Sequence, residues 1–247
     1  MMNNEFSVYG KKFQNRMMIG TANYPSFAIL EETIKKANVE IVTVSLRRQT
    51  SQSKEFGEKF FDLIKKFNLS ILPNTANCKS VKEVVVTAHM AREIFQTNWI
   101  KLETIGNEYT LQPDIFLLCE AAKILCDEGF EVFPYTTEDM VVAEKLLNFG
   151  CKVLMPWGSP IGSGRGLMNK YLLKQLINQF KKEAFFVIDA GIGRPSAAVA
   201  ESRADRSSAS SRSTASACMT ARCGRLPWPS RSQRMGTVAK YRTKIAN

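Results

Sequence analysis

The sequence predicts a parallel α/β fold, a (β/α)8 TIM barrel, on three observations. Seven strand-like runs alternate with six helix-like stretches over residues 16–191. The strand runs are apolar along almost their whole length, as strands covered on both faces are. No GxGxxG follows the first strand, which weakens the competing doubly wound dinucleotide fold.

In order, RMMIGTA (16–22) leads to SFAILEETIKKA (26–37), whose apolar residues recur at three- and four-residue spacing. EIVTVSL (40–46) leads to GEKFFDLIKKF (57–67), and SILPNTA (70–76) to SVKEVVVTAHMAREIF (80–95). NWIKLETI (98–105) precedes DIFLLCEAAKILCDEG (114–129), where Asp114 suits an N-cap and Gly129 a C-terminal stop. EVFPYTT (131–137) precedes EDMVVAEKLLNFG (138–150), stopped by Gly150. KVLMPWG (152–158), MNKYLLKQLINQFKK (168–182) and AFFVIDAG (184–191) complete the series. A barrel needs an eighth strand, and no apolar run after Gly193 offers one. That strand is expected to be missing or replaced by a segment foreign to the rest of the chain.

Composition changes at the same place. Residues 1–196 read as the catalytic barrel domain and 197–247 as a Ser/Arg/Ala-rich tail. Val199, Leu226, Val238 and Ile245 are the only Ile, Leu, Val or Phe from 194 onward. So few large aliphatics cannot offset the entropy of ordering that segment, so it is expected to be disordered or to come from a junction of unlike coding sequence. The formal charge of +11 is concentrated there: nine arginines and two lysines against Glu201 and Asp205 leave the first 193 residues at +2. A nucleic-acid function would have to rest on the tail, and the body argues against one. No apolar run reaches the roughly 18 residues of a membrane span, and the N-terminus lacks a secretory apolar block. The expected location is the cytoplasm, or the plastid stroma for an organelle-encoded chain. The six cysteines form no CxxC, and with the single His89 they fit no zinc spacing, so no metal is expected.

The chemistry concentrates at strand ends, where (β/α) barrels carry their catalytic groups. Arg47, Arg48, Asn74, Thr75, Tyr135, Thr136, Thr137 and Asp189 lie late in strands or just beyond. The fourth strand is the unusual one. Strand side chains alternate faces, so Trp99, Lys101 and Glu103 share one face while Ile100 and Leu102 share the other. Desolvation favours a neutral amine over an ammonium, and a neutral amine attacks carbonyls to form a Schiff base. A neighbouring carboxylate moves the protons that imine chemistry needs. The structural alternative is a buried Lys–Glu ion pair, or two edge residues facing water. In WGSPIGSGRG (157–166), Gly158, Gly162, Gly164 and Gly166 allow several backbone N–H groups to converge on an anion. AGIG (190–193) adds two more glycines after the seventh strand. Phosphate fits both loops better than either alone; an ordinary flexible loop is the alternative. Asp189 reads equally as a proton-transfer group or a loop cap, and His89 as a surface or core histidine.

Taken together, EIVTVSLRR, ILPNTANC, TNWIKLETIGNE, PYTTED, MPWGSPIGSGRG and VIDAGIGRPS resemble the ThiG family, the thiazole synthases of thiamine biosynthesis. The resemblance spans most of residues 5–196 and stops near Ser196. It implies a barrel enzyme in which Lys101 forms a Schiff base with 1-deoxy-D-xylulose 5-phosphate, with Glu103 and Asp189 as acid/base groups. It implies that Gly162, Ala190 and Gly191 bind the sugar phosphate. It further implies sulfur delivered by a sulfur-carrier protein thiocarboxylate, dehydroglycine from a partner enzyme, no cofactor, and a homo-oligomer. The family's eighth strand ends in an Asn-Thr pair at the phosphate site, and this sequence has neither. Competing readings are another Schiff-base sugar-phosphate enzyme, such as a class I aldolase, and an inactive relative lacking its closing strand.

Overall fold

The computed structural model describes residues 5–22, 24–46, 54–193 and 217–221. A hairpin comes first: β1 (Phe6–Val8) pairs antiparallel with β2 (Lys11–Phe13). Its two-residue turn, Tyr9 and Gly10, has positive φ at both positions (45° and 77°), which matches the twist of the flanking strands. The hairpin is additional to the seven runs read from the sequence.

Seven parallel strands follow: β3 (Met17–Gly20), β4 (Ile41–Ser45), β5 (Ser70–Asn74), β6 (Trp99–Leu102), β7 (Glu131–Thr136), β8 (Val153–Pro156) and β9 (Phe185–Ile188). They match the seven predicted runs in order. The eighth place is taken by β10 (Ala217–Ala221), which pairs parallel with β9 on one side and β3 on the other. The barrel therefore closes in the order β10-β3-β4-β5-β6-β7-β8-β9. The closing sequence is ACMTA, a stretch with no Ile, Leu, Val or Phe, inside the tail that composition alone assigned to disorder. Backbone pairing on both edges, rather than a hydrophobic run, defines this strand. The rest of the tail lies outside the described residues.

Helices α1 (Phe27–Ala37), α2 (Lys54–Lys66), α3 (Val81–Phe95), α4 (Ile115–Asp127), α5 (Met140–Asn148) and α6 (Lys170–Phe180) connect the strands. Asp114 caps α4, its Oδ1 accepting from the N–H groups of Phe116 and Leu117 at 3.0 Å. Gly129 and Gly150 follow α4 and α5 with positive φ, as their stop role requires. None of the described helices is long and apolar enough to cross a membrane.

Strand parity divides the core in two. Ile100, Leu102, Val132 and Leu154 face outward against α3 to α6. Met18, Ile41, Leu72, Trp99, Phe133, Val153, Met155 and Val187 face inward and fill the barrel. Phe6, Val8 and Phe13 of the hairpin join that inner cluster, closing the barrel at the N-terminal ends of its strands. Trp99 and Phe133 sit with ring centroids 5.1 Å apart, and Phe13 packs 5.8 Å from Trp99. Burial of these rings supplies much of the hydrophobic stabilisation.

Candidate active site

The same inward parity, carried toward the C-terminal ends, changes from apolar to polar. Thr43 and Ser45 follow Ile41; Asn74 follows Leu72; Lys101 follows Trp99; Tyr135 follows Phe133; Asp189 follows Val187. Lys101 pairs in register with Asn74 on β5 and with Phe133 on β7. Lys101 is 2% exposed, Asp189 3% and Glu103 5%. Lys101 Nζ donates to Asp189 Oδ2 across the barrel. It lies 5.8 Å from the centre of the Tyr135 ring. The amine thus stands on a floor of Trp99 and Phe133 with a carboxylate as its polar contact. Two buried charges tie each other down here at a desolvation cost that a stability role alone would not justify.

The sequence pairs Lys101 with Glu103; the structure gives Lys101 a direct bond to Asp189 instead. Glu103 lies just past the end of β6. Thr75 fixes its backbone, its Oγ1 accepting from Glu103 N–H at 2.8 Å and donating to Glu103 C=O at 3.0 Å. The Oε2 of Glu103 is buried and has no hydrogen-bond partner among the described residues. A fixed, buried carboxylate with an uncommitted oxygen is suited to exchanging a proton with a bound molecule.

The two glycine loops cross above this layer. Gly158 N–H donates to Asp189 C=O at 2.9 Å, and Gly166 N–H to Gly191 C=O at 2.9 Å. A Cβ on Gly191 would lie 1.8 Å from Ser159 Oγ and 2.7 Å from Ser159 C=O. A Cβ on Gly193 would lie 2.8 Å from Gly164 Cα. Only glycine permits this approach. Ala190, just before Gly191, has φ 64°, a left-handed conformation that costs an L-residue about 1 kcal/mol or more. Among the described residues, the N–H groups of Gly162, Gly164, Gly191, Ile192 and Gly193 donate to no acceptor. Several unsatisfied amides grouped in turns of this kind form an anion cradle.

Of the other residues singled out in the sequence, Arg47 and Arg48 lie outside the described residues. Thr136 is buried on the opposite parity to Tyr135, and Thr75 serves as the clamp on Glu103. His89 is an exposed surface residue on α3, 2.8 Å from Glu128. No group of three or more His, Cys, Asp or Glu among the described residues could hold a metal. Two features escaped sequence reading. Ser45 is buried on the inward parity of β4, its Oγ without a partner among the described residues. Glu138, just after β7, accepts from Trp157 Nε1 at 2.8 Å and from Asn169 Nδ2 at 3.0 Å. Nothing in the text PYTTED announces those two bonds, because both partners arrive through tertiary folding.

Comparison with known proteins gives a consistent result. The family model described as "Thiazole biosynthesis protein ThiG" matches residues 7–204. A thiazole synthase of Agrobacterium fabrum is 56% identical over 193 residues, covering 78% of this chain and 74% of the relative. One from Brucella abortus is 57% identical over 192 residues, with the same coverage of both chains. Among solved structures, the Amycolatopsis orientalis BexX/CysO complex contains a chain of the same fold. It has a TM-score of 0.73 at 22% identity, covering 94% of this chain and 92% of that one.

Proposed function

Because the chain belongs to the ThiG family of thiazole biosynthesis proteins, we propose that it is a thiazole synthase acting through a Schiff base on Lys101. The observation that carries the mechanism is the buried contact between Lys101 Nζ and Asp189 Oδ2, beneath the glycine crossing.

The substrate is 1-deoxy-D-xylulose 5-phosphate. Its phosphate sits on the N–H groups of Gly162, Gly164 and Gly191–Gly193, which donate to no acceptor among the described residues, and the ketone then points down toward Lys101. Asp189 takes a proton from the ammonium, and the neutral amine adds to the ketone carbon. The carbinolamine loses water when its hydroxyl is protonated, leaving C=N and releasing one H2O. The imine makes the adjacent carbon acidic, and Glu103, with its uncommitted oxygen, removes that proton to start the rearrangement. Sulfur is delivered by the thiocarboxylate terminus of a small sulfur-carrier protein, and dehydroglycine from a partner enzyme supplies the remaining carbon and nitrogen. The relatives named thiazole synthase and the complexed structural neighbour support this reading. The protein works as a homo-oligomer in this proposal.

Trapping tests it. Borohydride added to the protein with deoxyxylulose phosphate should fix one sugar phosphate on Lys101, located by peptide mass spectrometry. An absence of adduct on folded protein, or the same adduct in Lys101→Ala, overturns it. Stronger trapping with other keto-phosphates would favour an aldolase instead.

A further inference from the structure

The glycine arc from Gly158 to Gly166 hangs between two anchors, Trp157 at the end of β8 and Asn169 at the start of α6. Each anchor is held independently: Trp157 N–H donates to Thr136 C=O at 3.0 Å, and Asn169 begins α6, its C=O accepting from Leu173 N–H at 3.1 Å and its side-chain Oδ1 from Leu172 N–H at 3.2 Å. Beyond that, both anchors converge on one carboxylate. Glu138 Oε2 takes the indole N–H of Trp157 and Oε1 takes the side-chain amide of Asn169. One residue from the loop after β7 thereby adds a side-chain tie between the two ends of the arc, beside the backbone bond in which Met168 N–H donates to Gly158 C=O at 2.9 Å.

We propose that Glu138 is a positioning residue that spans the Trp157 and Asn169 ends of the glycine arc and fixes it in its phosphate-binding shape. The inference rests on the reading of that arc as the phosphate cradle. Electrostatics makes the argument sharper. A carboxylate beside an anion site repels the anion, so charge alone would disfavour Glu138 here. The residue has no cation partner among the described residues; its two oxygens are committed to neutral donors that hold the arc. Geometry and charge therefore predict opposite signs for one substitution.

In Glu138→Gln, the new side-chain NH2 must face either the Trp157 indole N–H or the Asn169 NH2, and both are donors. Flipping the Asn169 amide would relieve the clash but would turn its Oδ1 away from Leu172 N–H. One anchor is loosened either way.

The test compares deoxyxylulose 5-phosphate with phosphate-free deoxyxylulose by borohydride trapping on Lys101 as a function of concentration. Wild type should hold the phosphorylated sugar much more tightly. Glu138→Gln should raise the half-saturating concentration of the phosphorylated sugar about tenfold, the effect of leaving one polar group unpaired. The trapping rate at saturation and the phosphate-free sugar should be unchanged. Trp157→Phe should shift in the same direction, and the double variant should be little worse than either single one. Tighter or unchanged binding in folded Glu138→Gln, or equal losses for both sugars, overturns the proposal. If Glu138→Gln does not fold, Trp157→Phe decides by the same criterion. A wild type that does not distinguish the two sugars would instead defeat the phosphate reading.

Discussion

The two ends of the barrel interior are built from the same strands at the same parity, two residues apart, and they are chemically opposite. The lower layer of Met18, Ile41, Leu72, Trp99, Phe133, Val153 and Val187 is apolar and is sealed by Phe6, Val8 and Phe13. The upper layer of Ser45, Asn74, Lys101, Tyr135 and Asp189, with Met155 as its apolar member, is mostly polar and also buried. Below, the phenol of Tyr9 is engaged by two backbone groups. Above, the acceptors Ser45 Oγ and Glu103 Oε2 have no partner among the described residues; below, the Trp99 indole N–H also lacks one, but it is packed among rings rather than set beneath the glycine loops. The comparison teaches that burial serves two ends here. Below, it supplies stability. Above, it removes water from groups left available for a ligand, and stability is lower for it.

The largest effect that would break or confirm this contrast is at Lys101. Lys101→Ala should lower thiazole formation by at least about a thousandfold, since a nucleophile that forms the covalent intermediate is lost. It should also destabilise the fold, because Asp189 keeps its burial and loses its cation; removing one partner of a buried pair costs about 3–5 kcal/mol. The paired apolar variant Lys101→Met with Asp189→Leu should be equally inactive yet as stable as wild type or more so. Urea titration beside a turnover assay reads both quantities. A double variant far less stable than Lys101→Ala would show that the pair is held for stability, and the contrast between layers would fail.

The complementary change lies two residues down the same strand. Trp99→Ala should cost about 3–5 kcal/mol, the usual penalty for emptying a large aromatic site. Its indole Nε1 has no acceptor among the described residues, so the residue contributes through its rings. Trapping of Lys101 per folded molecule should stay within a few-fold of wild type. Loss of trapping in protein that still unfolds cooperatively would mean that the floor sets the amine's position, so that the layers are not separable.

Much of this was legible in the sequence, and the failures share a cause. The seven apolar runs declare seven strands because burial on both faces leaves a local signature. The parity of Trp99, Lys101 and Glu103 follows from the strand period alone, and it places the amine inside. The glycine loops were legible for the same reason, since close backbone approach demands glycine locally. The bond from Lys101 to Asp189 spans 88 residues and leaves no local trace. Neither does the hold of Glu138 on Trp157 and Asn169. The closing strand Ala217–Ala221 was missed because its place is set by the two edges waiting for it, β9 and β3, while its own residues carry no strand-like apolar pattern. The hairpin at Phe6–Phe13 did have a signal, a Tyr-Gly pair between short alternating runs, but it was too short to stand out from an N-terminal arm.

The smallest effect concerns the Tyr9 phenol, a polar group built into the lower seal. Tyr9 donates its phenol to Val132 C=O at 2.7 Å and accepts from Lys152 N–H at 3.2 Å. Burial pushes this phenol far above its ordinary range, against the opposing pull of the Lys152 N–H. The folded protein therefore keeps a proton that the unfolded chain releases near pH 10. A raised folded value contributes stability that is complete below pH 10 and erodes as the pH climbs above it. Tyr9→Phe should cost about 1 kcal/mol at neutral pH, the net worth of its hydrogen bonds. The same variant should lose less stability than wild type between about pH 10 and 11.5, as read by urea midpoints across that range. Parallel alkaline profiles for the two proteins would mean that Tyr9 is hydrated in the folded state. The seal at the bottom of the barrel would then be as open to water as the layer above is closed to it.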